Sequence, residues 1–484
     1  MGILGILLGL LLLIVLALRS WSILLLAPAA ALVAAFFAGE PLLANWTQTF
    51  MSGAAHFLAQ YFPLFLLGAL FGKLMDDSGS VSAIADFMTQ KLGTKHAILA
   101  VVFAGALVTY GGVSLFVAFF VLAPMAQSLF HAAAIPRRLM PAAIVLGTST
   151  FTMSALPGTP SIQNAIPMPF FGTTPFAAPG LGVIAAVVMI VFGIWWLKRA
   201  EAAAQRTNEQ LRETTLATAD NIVHDQLIRE RATTAHEFDI AEITHGYHSK
   251  NLPTISSAVL PIIIVIGVNF LMTLIVLPRF DVSFLAQEEW GATSLSAVGG
   301  VWSVVTALAT AIFAVIIINR KRLPKLRETM DAGANASVLP ALSVASLVGF
   351  GAVIASLPTF AVVRDWVLGI GGGPLISLAA ATNVLAAVTG SASGGLSIAL
   401  DSLSSTYLIL AQKYGIDPAL LHRVAVISSG TLDSLPHNGA VVTLLAVCQS
   451  SHRESYFDIV VVGIIGSIIA LGVVICLGSI FGSF

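Results

Sequence analysis

A carboxyl group, an imidazole and an amide lie close together in a mostly apolar part of the chain. The segment reads DSLPHNGAV and contains Asp433, His437 and Asn438. A carboxyl or an imidazole can carry a proton, and an amide offers donors and acceptors together. A carboxylate at the centre of a bilayer costs about 2.5–3.5 kcal/mol on the insertion scale, so such a residue is read as functional by default. We predict that Asp433 and His437 couple proton binding to another event.

A second polar segment, SALPGTPSIQNAIP, interrupts the first half of the chain at residues 154–167. In hydrocarbon, non-helical backbone survives only where protein buries it or water reaches it. Both polar segments are therefore predicted to line a cavity. We expect no Lys or Arg in this core, so an anion there would be held by N–H groups, hydroxyls and amides. Helix N-termini that end at the cavity would favour an anion further.

The composition defines the surroundings of this cavity. Hydrophobic residues make up 57% of the 484-residue chain and charged residues only 10%, which indicates a polytopic membrane protein in contact with the lipid bilayer. A net charge of −1 gives no basic surface for nucleic acid. Cys448 and Cys476 both lie in apolar stretches, so we expect no disulfide, metal site or cofactor.

Apolar runs long enough to cross a bilayer predict the spanning helices. They lie near residues 2–18, 23–38, 55–75, 181–197, 253–277, 294–318, 336–358 and 457–481. The regions 96–175 and 366–448 are also apolar, but Gly, Pro and Ser/Thr clusters interrupt them. Each is predicted to contain a re-entrant hairpin followed by a broken helix.

The two halves of the chain share an ordered series of short matches. YGGVSLF from Tyr110 resembles SGGLSIA from Ser393 at an offset of 283, and STFTMSALPGTP from Ser149 resembles SSGTLDSLPHNG from Ser428 at an offset of 279. Such weak internal symmetry is typical of duplicated transporters. The predicted fold is all-α, with two inverted-topology repeats at 1–197 and 253–484 joined by a cytoplasmic linker at 198–252. The hairpins are predicted at about 96–130 and 374–411, and the broken helices at about 141–175 and 422–448.

The lysines and arginines predict the orientation. With both termini outside, 19 of these residues fall on the cytoplasmic side and 4 fall outside, namely Arg279, Arg364, Lys413 and Arg423. This is a strong positive-inside bias. The two repeats then cross the membrane in opposite directions.

The predicted substrate site consists of the two Gly-Gly hairpin tips and the two helix breaks, because glycine permits a tight tip and close backbone approach. Its members in the first half are Gly111, Gly112, Ser114, Ser149, Thr152, Ser154, Gly158, Thr159 and Asn164. Its members in the second half are Ser393, Gly394, Gly395, Ser397, Thr431 and Asn438, with Asp433 and His437 for proton coupling. Simple back-bonding of the Ser and Thr hydroxyls to their own helices is the alternative.

The motifs YGGVSLF, LPGTPSIQNAIP and GTLDSLPHNGAVVTLL resemble those of the gluconate permease family (GntP), within the ion transporter superfamily. The resemblance extends over essentially the whole chain, and the 3-hydroxybutyrate-type permeases are the more similar branch. It implies a proton-coupled symporter for a small hydroxy-monocarboxylate such as gluconate, glycerate or 3-hydroxybutyrate. It also implies a homodimer in the bacterial inner membrane, with an elevator-type movement of a transport domain against a scaffold.

The residues leave other functions open. Sodium could replace the proton, because unwound carbonyls and hydroxyls can coordinate it. An anion channel could use the same broken helices. An intramembrane hydrolase would need Asp401 and Asp433 close enough to share a proton, and no protease signature surrounds either residue. We therefore expect a carrier and not an enzyme.

Overall fold

The computed structural model describes residues 2–17, 21–206, 249, 251–436 and 438–484. Within these residues the regular structure is helical and contains no β-strand. Most of the predicted linker 198–252, and His437 of the predicted coupling pair, lie outside the described residues.

Besides two short 3₁₀ turns at Thr94–His96 and Arg137–Leu139, the described first half contains eleven helices. They are α1 (Gly2–Ala17), α2 (Ile23–Ala38), α3 (Leu42–Asp77), α4 (Ser80–Leu92), α5 (Ala97–Tyr110), α6 (Leu115–Ala132), α7 (Met140–Thr148), α8 (Phe151–Ser154), α9 (Ile162–Ala165), α10 (Pro167–Phe171) and α11 (Pro179–Arg206).

The second half of the described chain contains ten further helices. They are α12 (Ile255–Arg279), α13 (Leu295–Ile318), α14 (Leu326–Ala336), α15 (Val338–Ser356), α16 (Phe360–Leu368), α17 (Pro374–Thr389), α18 (Ala392–Tyr414), α19 (Pro418–Thr431), α20 (Gly439–Val447) and α21 (His452–Phe481). The helices α3 to α11 follow the order long helix, short helix, helix pair, interrupted helix and final long helix. The helices α15 to α21 follow the same order.

The helix lengths follow from the apolar runs. Eight described helices are long and apolar enough to cross a membrane, or nine if the bent pair α4 and α5 counts as one span. The prediction of an all-helical, multi-pass membrane protein is confirmed. The inverted direction of the two halves stays a prediction.

The helices pack around the two interrupted regions. The long helix α3 lies against α13, α14 and α15, while α5 packs on α7 and α17 packs on α18 and α19. The last helix of each half, α11 and α21, pack against each other. This arrangement encloses the interrupted helices α7 to α10, α19 and α20 within protein, where their unpaired backbone groups can find partners.

One predicted tip lies elsewhere. The chain turns between α5 and α6 at Gly111 and Gly112, and it turns between α17 and α18 at Gly390 and Ser391. The prediction that Gly394 and Gly395 form the tip is wrong, because both lie in the first turn of α18. Gly390 has φ +65°, which lets α17 end in the left-handed conformation, whereas the later glycines are helical.

The displaced tip also changes the register of the predicted internal repeat. Ser391 lies 279 positions after Gly112, the same offset that relates the two helix breaks. The offset of 283 is therefore one helical turn too long. In the corrected register, Ser114 corresponds to Ser393.

Gly395 has a packing role in this hairpin. A Cβ atom at this position would lie 2.2 Å from the backbone nitrogen of Ala386, on the facing helix α17. The two helices therefore approach so closely that only glycine fits. Of the glycine pair predicted as a tip, Gly395 is therefore a contact between the hairpin's two arms, whereas Gly394 lies against Leu347 of α15.

The charge assignment also needs a correction. The sequence places Arg423 in an outer loop and Lys73 in a cytoplasmic loop, and it predicts a core without basic residues. Both side chains are fully buried in helices, Lys73 near the end of α3 and Arg423 in α19. Lys73 pairs with Asp77 at 2.9 Å. Counting lysines and arginines by predicted loop assigns each of them to one side of the membrane, so the count misses a basic side chain that is buried in protein.

Candidate functional site

A cavity of about 240 Å³ lies where the two interrupted regions meet α3, α14 and α15. Its polar lining comes from both halves of the chain: Thr109, Ser114, Thr148, Ser161, Gln163, Ser337, Ser393 and Asp433. Asp433 is the one ionisable side chain among these described lining residues. The rest of the lining comes from α3, α14 and α15 and is apolar, from the small Gly68, Ala69 and Ala336 to the larger Leu64 and Phe65.

The first hairpin tip reaches this cavity through Gly112, Val113 and Ser114. Gly112 has φ +95°, and a Cβ atom there would lie 2.9 Å from Cγ of Pro160 in the first helix break. Beside it, the hydroxyl of Tyr110 donates a hydrogen bond to the carbonyl of Pro157 at 2.7 Å. The first tip and the first break thus form one packed unit.

The second hairpin tip is fastened to the second break by Asp433 and Asn438. Oδ1 of Asp433 accepts hydrogen bonds from the backbone N–H of Ala392 at 2.9 Å and from Nδ2 of Asn438 at 2.7 Å. Nδ2 of Asn438 also donates to the carbonyl of Gly390 at 2.8 Å. Ala392 is the first residue of α18, so the carboxylate lies at a helix N-terminus, where an anion is favoured.

Asn438 has a second role at the break. Its Oδ1 accepts the backbone N–H of Ala440 at 2.7 Å and so caps α20. One amide therefore connects the tip of the second hairpin, the Asp433 carboxylate and the start of α20. Of the three groups that lie together in the sequence, the Asp433 carboxyl and the Asn438 amide are joined directly by a hydrogen bond, and His437 lies outside the described residues.

Three predicted site residues besides Asp433 line the cavity: Gly112, Ser114 and Ser393. Others lie behind the wall, where hydroxyls bond to preceding carbonyls of their own segments, as in Thr152, Ser154 and Thr431. Ser149 contacts the hydroxyl of Thr148 at 3.2 Å. This back-bonding is the alternative that the sequence left open.

The remaining predicted residues have mainly packing or loop contacts in the structure. Gly111 lies against Ile262, Gly394 against Leu347, and Ser397 is buried in the second turn of α18. Gly158 donates its N–H to the carbonyl of Pro175 at 2.8 Å, and Oγ1 of Thr159 accepts from the N–H of Ser161 at 3.4 Å.

Asn164 lies one layer behind the cavity in a buried polar cluster. Its Nδ2 donates to the carbonyls of Thr159 at 3.1 Å and Pro175 at 3.0 Å. Its Oδ1 lies 3.2 Å from Nε2 of His422 and 3.4 Å from Nη1 of Arg423. The amide therefore ties the first break to α19 in the second half.

Several residues in or next to the site were not predicted from the sequence. Ser161 and Gln163 stand within the polar segment quoted above, and a Ser three residues before Asn164 is a helix-start signal that could have marked the first. Ser161 does cap α9, since its Oγ accepts the N–H of Asn164 at 3.4 Å. His422 and Arg423 form a basic pair between apolar runs, which is itself unusual in a membrane helix.

The aspartate pair required by a hydrolase is absent from the described structure. Asp401 is exposed on α18, nine residues after the Ala392 that contacts Asp433. Nine residues of helix rise by about 13 Å, so the two carboxyls cannot share a proton.

Comparisons with known proteins agree with this membrane architecture. The model of the GntP family permeases matches residues 1–432. An uncharacterized transporter of Bacillus subtilis (strain 168), YxjC, is 40% identical over 467 residues, which is 95% of each chain.

A solved structure shares the fold at low sequence identity. It is that of Neisseria gonorrhoeae MtrF, described as illuminating a class of antimetabolite efflux pumps. It has a TM-score of 0.54 and 16% identity, covering 91% of this chain and 85% of the other. The family match and the close relative identify a transporter and not an enzyme, and the chain belongs to the GntP family of permeases.

Proposed function

We propose that this permease is a secondary active transporter that carries a small hydroxy-monocarboxylate, of the gluconate, glycerate or 3-hydroxybutyrate class, together with a proton. The observation that carries the proposal is the hydrogen bond from the N–H of Ala392 to Asp433 at the cavity. The start of α18 already holds one carboxylate, and a substrate carboxylate would suit the same donors.

Proton coupling follows from competition for these donors. While Asp433 is ionised, its charge repels a second carboxylate and its Oδ1 occupies the N–H of Ala392. Protonation removes the charge and weakens that hydrogen bond, because charge-assisted bonds are stronger than neutral ones. The substrate and the proton should therefore each increase the affinity for the other.

The two walls of the cavity support an elevator movement. On one side, the tips and breaks are joined by the hydrogen bonds of Tyr110, Asp433 and Asn438. On the other side, the lining from α3, α14 and α15 is apolar, with Gly68, Ala69 and Ala336 beside the larger Leu64 and Phe65. The first group would move as one body against the second, in a homodimer in the bacterial inner membrane with both termini outside.

Uptake into proteoliposomes tests the proposal. Labelled gluconate, glycerate and 3-hydroxybutyrate are offered under an inward pH gradient and then under a sodium gradient. Saturable accumulation driven by pH supports a proton-coupled carrier, and accumulation driven by sodium supports the alternative coupling ion. Passive equilibration without accumulation would favour a channel, while transport of none of the three acids would refute the substrate class.

A further inference from the structure

The strongest unexplained feature outside the cavity lining is Arg423. Its side chain is fully buried in α19. Nε and Nη2 donate to the carbonyl of Ala177 at 3.1 and 2.7 Å, and Nη1 donates to the carbonyl of Ala155 at 3.2 Å and to Oδ1 of Asn164 at 3.4 Å. All of these acceptors are neutral, and no described carboxylate forms an ion pair with the guanidinium.

A buried charge without a counter-ion is costly, and arginine cannot escape the cost by losing its proton. The fold does not require it. In the corrected repeat register, the position equivalent to Arg423 is Ile144, which is buried in α7. The same helix position thus accepts an aliphatic side chain in the first half, so the charge is an addition confined to the second half.

The guanidinium lies directly behind the cavity wall. Ala155 is two residues after Met153, and Asn164 is next to Gln163, and both Met153 and Gln163 line the cavity. Because Arg423 and Asn164 are both fully buried, water screens the positive charge less here than it would at a surface.

We propose that Arg423 supplies the fixed positive charge that makes the cavity select anions, acting through space and not by direct contact. It is a positioning and selectivity residue, and the carboxylate of the transported acid is its missing counter-ion. The assignment of that acid rests on the proposed function, but the sign of the cavity potential does not. His422 faces Asn164 and Thr173, and Asp433 is the negative group at the cavity that opposes Arg423.

The charge can be measured without any substrate. Gln163→Cys places a thiol in the cavity wall, in a Cys476→Ala background that removes the exposed native cysteine, while Cys448 is buried. The thiol is modified with the anionic sulfonatoethyl and the cationic trimethylammonioethyl methanethiosulfonates, and the ratio of the two rates is recorded. Arg423→Gln should lower the anion-to-cation ratio about tenfold, whereas Arg423→Lys should keep it within about twofold.

A second pair of variants separates charge from folding. Asn164→Asp puts a carboxylate beside the intact guanidinium and should lower the ratio as Arg423→Gln does, while Asp433→Asn should raise it. Melting temperatures show which variants are folded. An unchanged ratio in either folded variant, Arg423→Gln or Asn164→Asp, overturns the proposal. Failure of the labelled acids to enter proteoliposomes would refute the proposed function, but the rate ratio would still test the role of Arg423 independently.

Discussion

Replacing Asp433 with asparagine tests the coupling mechanism most directly. The amide keeps an oxygen that can accept the hydrogen bonds from Ala392 and Asn438, now at 2.9 and 2.7 Å, but it removes the ionisable group. A substrate carboxylate sharing the start of α18 would lie within about one helical turn of Asp433, or roughly 5 Å. At that distance two unit charges repel by about 3 kcal/mol at an effective dielectric constant near 20.

This energy sets the expected size of the effect. Since about 1.4 kcal/mol corresponds to tenfold in affinity, protonation of Asp433 should strengthen substrate binding by roughly a hundredfold. Affinity in the unmodified protein should rise as pH falls, because the proton removes the repulsion. Asp433→Asn should bind at high pH as tightly as the unmodified protein does at low pH, with no further dependence on pH.

The assay compares counterflow exchange and uphill uptake in proteoliposomes over a range of pH. Asp433→Asn should retain exchange and lose accumulation against a gradient. Asp401→Asn is the matched control, because Asp401 is a carboxyl of the same helix bundle that lies outside the cavity lining. Persistent pH-driven accumulation in Asp433→Asn would refute the reasoning and leave His437 as the next candidate for the proton.

Three further outcomes are expected. An impermeant maleimide added outside intact cells should label Phe484→Cys and miss Asp225→Cys, and the reverse pattern would contradict the inverted repeat. Gly395→Ala should destabilise the protein by roughly 2–5 kcal/mol because the two arms of its hairpin touch there, whereas Gly371→Ala, with open space around it, should leave the melting temperature unchanged. Tyr61→Phe removes the 2.8 Å hydrogen bond from α3 to the carbonyl of Ile166 in the first interrupted region. If the two parts move against each other at this contact, the rate of substrate exchange should change more than the affinity. An unchanged rate would count against such a movement.

The sequence was sufficient for those parts of the fold that depend on local composition. Runs of apolar residues determine where a helix can cross a bilayer, so the predicted spans agree with helices such as α11, α13 and α21. The breaks at Pro157 and Pro436 were also visible, because each proline stands in a cluster of polar residues. Proline alone is not sufficient, since Pro28, Pro63, Pro124 and Pro261 lie inside continuous helices.

The sequence does not determine the position of a feature when two nearby residues suit it equally well. The stretch GSASGG offers Gly390 as well as Gly394 and Gly395 for the second tip, and only the packing against Ala386 shows that Gly395 belongs in a helix. Whether a residue lines the cavity likewise depends on which face of its helix points toward the cavity. Thr152 and Thr431 lie in the predicted segments, but the Thr152 hydroxyl bonds to the carbonyl of Thr148 in the preceding helix α7, and the Thr431 hydroxyl bonds to the carbonyl of Ile427 in its own helix.

The prediction for Arg423 was wrong for a different reason. The positive-inside rule treats each basic residue as a loop residue, and this one is solvated by the carbonyls of Ala155 and Ala177, which lie far away in sequence. No local pattern indicates that the first break will supply those oxygens.

The carboxylate of Asp433 at the start of α18 also bears on what happens between transport cycles. A chloride ion that reaches the substrate-free cavity meets an ionised carboxylate and an N–H that is already engaged. In the proposed mechanism, Asp433 therefore occupies the position that the substrate carboxylate would take. Until Asp433 takes up a proton, an inorganic anion would meet the same repulsion as a substrate carboxylate, so the proposed mechanism predicts that the unprotonated, unloaded carrier does not leak halide.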